Sequence, residues 1–208
     1  MSKILRVPPT KSVLLVLKRQ VVFLEKGHDL LERKRELLTR LVYPQLEHYR
    51  SLRLQARTAL GEAYHWLAIA EMRMGSQLLH QVALGAEPGL TVKILPRSNL
   101  GVEYPSVNAE VRPLQPVGLM WTDASFDESR ERLAKMAVTL ARLGEAESAL
   151  RRLLEAQRKT QKRVNALKYN VIPRFRATIH YIEGALAEEE RNTQFQIRVL
   201  QKNLPPSP

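Results

Sequence analysis

Apolar doublets recur every seven residues along the N-terminal part of the chain, and lysine and arginine fill much of the sequence between them. The doublets are Val16-Leu17, Phe23-Leu24, Leu30-Leu31 and Leu37-Leu38. A strict seven-residue repeat keeps the apolar residues on one side of a slightly underwound helix, which is typical of a left-handed coiled coil. The pattern predicts a coiled-coil seam on this helix at Leu17, Leu24, Leu31 and Leu38.

The seven-residue pattern belongs to a first long helical arm, which we predict over residues 11–85. Pro8-Pro9 prevents an earlier start, so residues 1–10 are expected to form an extended arm. Pro44 is expected to kink or locally break the helix. Gly85, with a proline and a second glycine shortly after it, predicts the end of the arm.

Residues 86–124 differ in character from both flanking segments and predict a small insert. Residues 90–95 alternate in a way that favours a strand, and residues 101–104 and 107–111 are shorter strand candidates. Proline, serine and asparagine separate these candidates, as expected for turns. The insert is therefore predicted to contain a short β-hairpin, with a short helix as its other element.

A second long helical arm is predicted over residues 125–202, followed by a disordered tail at 203–208. Ser125 and Glu128 have the spacing of a capping box at the start of this arm. Pro173 predicts a second kink. The seam residues predicted on this arm are Val164, Leu167 and Val171.

Composition agrees with long uninterrupted elements. The 208 residues are 44% hydrophobic and 26% charged, with only 9 glycines and 12 prolines. These values exclude a compositionally disordered chain. The predicted fold class is mainly α: a long antiparallel two-helix coiled coil made by the N- and C-terminal helices, with the small insert in the middle.

Charge introduces a question about partners, because the formal net charge is +12. Residues 151–176 contain nine cations and a single acid, Glu155. Such a basic face suits nucleic acid, an acidic protein partner or plain solvation. Aromatic side chains for base stacking are few, with only Tyr169 and Phe175 nearby. Nucleic acid is therefore not the expected partner.

The sequence contains no motif typical of a catalytic, metal-binding or nucleotide-binding site. The chain has no cysteine, its five histidines lack the HExxH spacing, and no GxxxxGK[ST] loop is present. Glu188, Glu189 and Glu190 are consecutive on one predicted helix and project in different directions, so a solvated face is expected. We predict no catalytic, cofactor-binding or metal-binding residues and no direct nucleotide binding.

No membrane-spanning segment is expected either. The N-terminal apolar run, residues 13–17, is too short for a secretion signal, and no stretch approaches the ~20 apolar residues of a spanning helix. Any link to a membrane is expected to come through a partner, which predicts a cytoplasmic chain that is at most peripheral to the membrane.

Motifs in three parts of the chain, in order, resemble the family of D subunits of the vacuolar/archaeal-type rotary ATPases. The first part contains PTK followed by LLVLKR and then KGHDLLERKRELL, over residues 9–38. The second is NLGVEYP over residues 99–105, and the third is TQKRVNALKYNVIPR over residues 160–174. Lys168 stands where the family usually has a glutamate.

The resemblance implies a non-catalytic rotor shaft. In this family the shaft enters a six-membered ring of alternating catalytic A and regulatory B subunits, and a small F subunit docks on it. Its lower end couples to a funnel-shaped subunit above the membrane rotor ring, so that ATP hydrolysis or synthesis is linked to ion movement. No cofactor is implied for the shaft itself.

Within this interpretation, polar residues on both arms are predicted to contact the stator ring. They are Lys11, Lys18, Arg19, Lys162, Arg163, Asn165, Arg174 and Arg176. Two alternatives remain at this point: a basic coiled-coil adaptor that binds nucleic acid, and a structural coiled-coil scaffold.

Overall fold

The computed structural model describes residues 4–113, 115 and 122–203. The elements in chain order are α1 (Lys11–Met74), α2 (Ser76–Gly85), β1 (Leu90–Asn99), β2 (Val102–Val111), α3 (Ala124–Ala166), a π-helical turn (Leu167–Val171) and α4 (Ile172–Asn203). A long N-terminal helix, a two-stranded hairpin and a long C-terminal helical segment confirm the predicted fold class. Of the tail predicted at residues 203–208, Asn203 is the last residue of α4 and residues 204–208 lie outside the described residues.

The chain divides into two compact units. The terminal unit contains Met1–Glu36 and Arg158–Pro208, and the central unit contains Leu37–Gln157. Because α1 and α3 each cross the boundary between the units, each unit contains part of α1 and part of α3.

Helices in the terminal unit pair antiparallel. Three ion pairs join α1 to α4: Lys11–Glu190 at 2.7 Å, Lys18–Glu183 at 2.7 Å and Arg176–Glu25 at 2.5 Å. The number of the α4 residue falls as the number of the α1 residue rises, so the two helices run in opposite directions. In the central unit the order is likewise antiparallel, with Gln157 hydrogen-bonded to Thr39 and Arg73 ion-paired to Asp123. Each unit therefore contains one section of an antiparallel helix pair.

The first arm is interrupted at Gly75, where one helix to residue 85 was predicted. Gly75 has φ 82° and ψ 149°, a conformation that side chains with a Cβ rarely adopt. Its carbonyl accepts the Leu79 N–H at 3.1 Å, so the glycine serves as the N-cap of α2. By contrast, α1 continues through Pro44 as one helix, so no local break occurs there, and the alternative of a kink at Pro44 stays a prediction.

The start of α3 also differs from prediction. The helix begins at Ala124, and Ser125 is buried inside its first turn. Asp123 precedes the helix, and its Oδ2 accepts hydrogen bonds from Ser125 Oγ at 2.8 Å and from Arg73 Nη1 at 2.8 Å. The predicted capping box of Ser125 and Glu128 is therefore wrong, because the serine hydroxyl is directed to this carboxylate.

A two-residue turn joins the strands of the hairpin. Asn99 pairs with Val102, and the turn residues Leu100 and Gly101 have φ of 51° and 72°. Positive φ at both positions is the geometry of a type I′ turn, whose twist matches that of the flanking strands. Apart from the turn residue Gly101, the two short candidates at 101–104 and 107–111 belong to one continuous ten-residue strand, β2.

Pro173 follows the π-helical turn closely. The Ile172 N–H donates to the Leu167 carbonyl, five residues earlier. A proline in a regular helix loses a hydrogen bond and its ring collides with the carbonyl four residues before it. The π-turn changes the backbone spacing directly before this proline, and the helical segment continues to Asn203.

Candidate functional site

In each apolar doublet of α1, the predicted seam residue is the more buried of the two. Leu17 and Leu38 are buried, and Leu24 and Leu31 are half-buried. Their doublet neighbours are exposed: Val16, Phe23, Leu30 and Leu37. On the second arm Val164 is buried, while Leu167 and Val171 are half-buried within the π-turn.

A second set of seam positions on α1, spaced every seven residues from Val21, differs between the two units. In the terminal unit it is polar at His28 and Arg35, which follow the buried Val21 at seven-residue intervals. Arg35 Nη1 donates to Gln161 Oε1 at 3.0 Å, and Nη2 of the same guanidinium donates to Glu32 Oε1 at 2.5 Å. These partners offset the cost of placing a charged side chain in a half-buried position of the seam.

In the central unit the same seven-residue position holds the half-buried Val42 and Tyr49 and then three successive alanines. Ala56, Ala63 and Ala70 are all buried, and the last two have no exposed surface. Small side chains at a helix interface allow two backbones to approach closely. The doublet pattern gave no indication of this change, although the alanines are visible in the sequence once the heptad register is extended.

A second contact ties the N-terminal arm to α4 in the terminal unit. The hydroxyl of the fully buried Thr178 accepts the Leu5 N–H at 3.0 Å and donates to the Arg174 carbonyl at 2.8 Å. The hydroxyl thus acts as both an acceptor and a donor. The sequence does not single out Thr178, since a threonine in a helical stripe carries no distinctive signal.

All eight predicted interface residues belong to the terminal unit, and the structure separates them into two groups. Lys11, Lys18 and Arg176 form the ion pairs between α1 and α4 given above. Asn165 accepts a hydrogen bond from Gln161 at 2.9 Å. These four residues participate in contacts within the chain, which the sequence pattern did not indicate.

The remaining cations are differently placed. Arg19, Lys162 and Arg163 are exposed, and no ion pair within the described part of the chain involves them. Arg174 is half-buried, and its Nε is buried without a hydrogen-bond partner among the described atoms. Together with the exposed Arg158 and Lys159, Lys162 and Arg163 occupy positions i, i+1, i+4 and i+5 of α3 and form one basic face.

Electrostatics at the end of the pair are set by Lys11 and Glu190. The hydrogen bond between them raises the pKa of the Lys11 ammonium and lowers the pKa of the Glu190 carboxyl. Every side chain from residue 187 to residue 201 is exposed, including Phe195, Ile197 and Leu200 beyond this pair. The end of α4 therefore presents apolar side chains to a partner or to solvent.

The hairpin is anchored in the core of the central unit. Val102 packs in one buried cluster with Leu38 and Leu153. Polar contacts also attach β2 to α3: the Val107 N–H donates to Glu145 Oε2 at 3.1 Å, and Arg152 Nη1 donates to the Glu103 carbonyl at 2.8 Å. These contacts satisfy backbone groups of β2 that a two-stranded sheet leaves open.

Side chains that could have suggested catalysis have other contacts. Glu62 Oε2 is 3.1 Å from Arg132 Nη1, and the ring of His65 packs edge-on against Trp66. Across residues 4–113, 115 and 122–203, no three acidic, histidine or cysteine side chains form a group that could hold a metal ion. Over the same ranges, no helix has the length and apolar character required to cross a bilayer.

Lys168 lies in the π-helical turn, with its Nζ 5.5 Å from the centre of the Tyr169 ring. The Tyr169 side chain is exposed. The cation therefore contacts an aromatic face of its own helix at the position where a glutamate was expected from the resemblance.

Comparison with known proteins agrees with this architecture. The family described as the ATP synthase D subunit matches residues 13–202. The A-type ATP synthase D subunit of Pyrococcus furiosus is 33% identical over 202 residues, covering 95% of this chain and 94% of the relative. The V-type ATP synthase D subunit of Thermotoga neapolitana is 32% identical over 199 residues, covering 95% of this chain and 98% of the relative. The resemblance found in the sequence motifs is thus confirmed, and the chain belongs to the family of ATP synthase D subunits.

Proposed function

We propose that this chain is the central-stalk rotor subunit of a V/A-type ATPase or ATP synthase. It transmits torque between ATP hydrolysis or synthesis in a stator ring and ion translocation in a membrane rotor. The observation that carries the proposal is the family match over residues 13–202, nearly the whole chain. Relatives named as the D subunits of A-type and of V-type ATP synthases support both forms of the complex.

The chain acts as a non-catalytic subunit in this proposal. Its partners are a ring of catalytic A and regulatory B subunits, the F subunit on the shaft, and a funnel-shaped subunit that connects it to the membrane ring. The complex holds it at the cytoplasmic side of a membrane as a peripheral component. Long paired helices support this role, because a shaft must carry load along its length.

Force transmission requires contacts that differ between the states of the ring. A ligand or partner shifts a conformational equilibrium only by the difference in its interaction with the two states. The basic face of α3 supplies such a difference without locking one orientation, because charge attraction extends about 8–10 Å at physiological salt and needs no interdigitation. The exposed apolar side chains at the end of α4 add a short-range contact.

The structure changes which cations best test this mechanism. Lys11, Lys18 and Arg176 have carboxylate partners within the chain, so neutralising them also weakens the helix pairing. Arg19, Lys162 and Arg163 are exposed and lack such partners among the described residues. Their neutralisation reports on contacts with the ring.

Assembly is the first test. The chain is co-expressed with the A, B and F subunits of the same genome and purified through a tag on this chain. The expected result is a complex with ATPase activity that falls when this chain is omitted. Recovery of the chain alone, or with nucleic acid seen as high absorbance at 260 nm, would contradict the proposal.

The second test compares two triple variants in the assembled complex. Arg19→Gln, Lys162→Gln and Arg163→Gln together are expected to reduce the coupling of ATPase activity to rotation while leaving the unfolding temperature of the chain nearly unchanged. The control combines Arg40→Gln, Arg97→Gln and Arg112→Gln, which remove three exposed cations of the central unit. Equal coupling in both variants would exclude the terminal cations as the stator contact.

A further inference from the structure

The buried side chains of the second arm keep a seven-residue interval up to the π-helical turn. Leu153 and Thr160 are buried seven residues apart, and the half-buried Leu167 follows at the same interval. Leu150 and Val164 are also buried, and they are fourteen residues apart, which is two repeats. Together the two sets have the a and d spacing of a coiled-coil seam.

Across the π-helical turn the interval lengthens by one residue, and it then returns to seven. Ile172 is buried eight residues after Val164, and Phe175 is half-buried eight residues after Leu167. Ile182, which has no exposed surface, lies seven residues after Phe175. The second arm therefore contains one residue more than its seam repeat requires.

Helix α1 shows no such change within the terminal unit. Its less exposed side chains stay at strict seven-residue intervals in both sets of seam positions: Leu17, Leu24 and Leu31, and Val21, His28 and Arg35. A different supercoil would alter the intervals on both helices of a pair. The extra residue therefore belongs to the second arm alone, as a skip residue in an otherwise regular repeat.

A π-helical turn is the backbone conformation that accommodates one extra residue in a helix. The hydrogen bond from the Ile172 N–H to the Leu167 carbonyl spans five residues, where an α-helix spans four. Lys168, Tyr169 and Asn170, in the middle of the turn, are all exposed. The skip residue is thus absorbed on the outer side of the helix, and the seam continues past it.

Pro173 determines where in the second arm the skip residue is held. Proline has no N–H group, and in a regular α-helix its ring collides with the carbonyl four residues earlier. A π-turn placed elsewhere in the arm would leave Pro173 in such a regular turn. We propose that the π-turn and Pro173 together set the phase of α4, meaning the face that α4 turns towards α1.

The phase of α4 decides which contacts the terminal unit can make. Thr178 accepts the Leu5 N–H, and Glu183 pairs with Lys18. A shift by one residue turns a helix by about 100°, which is enough to separate both pairs of groups. The inference does not rest on the proposed function, because all of these contacts lie within the chain.

Thermal unfolding of the 208-residue chain tests the proposal through a pair of changes. Deletion of Asn170 removes the skip residue and leaves Pro173 in a regular helix, so the unfolding midpoint is expected to fall by about 6–12 °C. Pro173→Ala alone is expected to change the midpoint by less than about 2 °C. The deletion combined with Pro173→Ala is expected to return to within about 2 °C of wild type.

Deletion of Arg158 is the matched control, because Arg158 is another exposed residue of the second arm in the same unit. It leaves Thr160 and Val164 one residue out of phase, so the midpoint falls and Pro173→Ala does not restore it. Three results would overturn the proposal. They are an Asn170 deletion without loss of stability, a combined variant no more stable than that deletion, or restoration of the Arg158 deletion by Pro173→Ala.

Crosslinking measures the phase itself, because the chain has no cysteine of its own. Lys18→Cys with Glu183→Cys is treated with a short bismaleimide, and the crosslinked peptides are quantified by mass spectrometry. Wild type and the combined variant are expected to crosslink equally, since removal of a skip residue does not turn α4. Lys18→Cys with Gly184→Cys is the control pair, one residue out of phase at an exposed position. A combined variant that crosslinks mainly through position 184 would show a turned α4 and overturn the inference.

Discussion

The terminal and central units use the same helix α1 but join it to its neighbour by different side chains. In the terminal unit the contacts along the pair include three cation–carboxylate pairs, a buried threonine and a guanidinium in the seam. The central unit also has ion pairs, Arg73–Asp123 and Arg132–Glu62. Its seam, however, includes the buried alanines Ala56, Ala63 and Ala70, and the anchored hairpin adds Val102 to a leucine cluster.

The difference indicates a division of roles. Alanine seams and a shared apolar cluster make contacts that do not depend on salt or pH. Surface ion pairs are weak and salt-dependent, with typical contributions of about 0–1 kcal/mol. We infer that apolar packing contributes more to the helix pairing of the central unit, while ion pairs and buried polar contacts contribute more to that of the terminal unit.

The largest expected effect is in the core of the central unit. Leu38 has no exposed surface and contacts Val102 and Leu153 in the buried cluster. Leu38→Ala removes this packing and is expected to lower the free energy of unfolding by about 2–5 kcal/mol. Denaturant unfolding measures the change. Leu37→Ala, at the 46% exposed neighbour, is the control, and similar losses in the two variants would disprove the inward placement of Leu38.

Overpacking of the alanine seam is expected to have the next largest effect. Ala63→Leu inserts a much larger side chain at a position without exposed surface, at an expected cost of about 1–3 kcal/mol in unfolding free energy. Ala68→Leu, at an exposed position of the same helix, is the matched control. Should Ala63→Leu leave stability unchanged, the close approach of the helices at this seam would be wrong.

In the terminal unit the corresponding test is Thr178→Val. The substitution keeps the shape of the side chain but leaves the Leu5 N–H without its acceptor, and we expect a loss of about 1–2 kcal/mol. Hydrogen exchange at the Leu5 amide should accelerate in parallel. Thr193→Val is the control, because the Thr193 hydroxyl also bonds the carbonyl four residues earlier but is exposed. Unchanged exchange at Leu5 would contradict the role of Thr178.

The smallest expected effect concerns pH at the start of α3. Hydrogen bonds from Arg73 and then from Ser125 lower the pKa of Asp123 to about 2, from an ordinary value of 3.8. A depressed carboxyl pKa stabilises the folded state above the unfolded value, and this contribution is lost as pH falls from about 4 towards about 2. Thermal unfolding of wild type and Asp123→Asn over this range should therefore converge at low pH. A constant difference between them would exclude the linkage.

Local pattern was sufficient for several elements. The heptad doublets predicted a long helix in α1, and the alternation of residues 90–95 predicted β1, because both signals depend only on side-chain periodicity. The interruption at Gly75 and the contact of Asp123 with Arg73 at the start of α3 were missed for a different reason. Neither position differs locally from many other glycines and aspartates, and the Asp123 contact is with Arg73, fifty residues away.

The predicted stator-contact residues also depend on contacts between residues far apart in sequence. Eight residues were predicted to contact the stator ring, and all eight belong to the terminal unit; the interface itself stays a prediction. The sequence could not separate Lys18, which pairs with Glu183, from its neighbour Arg19, which is exposed and has no such partner in the described chain. Adjacent residues on a helix differ by about 100° in direction, so only the position of the opposing helix decides which one finds a carboxylate.

The sequence by itself determined the class of elements, their order, the seam periodicity and the family. All of these depend on side-chain types and on spacing along the chain. The tertiary structure alone decided which cations are neutralised within the chain and that Thr178 holds the N-terminal arm. These features depend on distances between residues far apart in sequence, which become defined only when the helices pair.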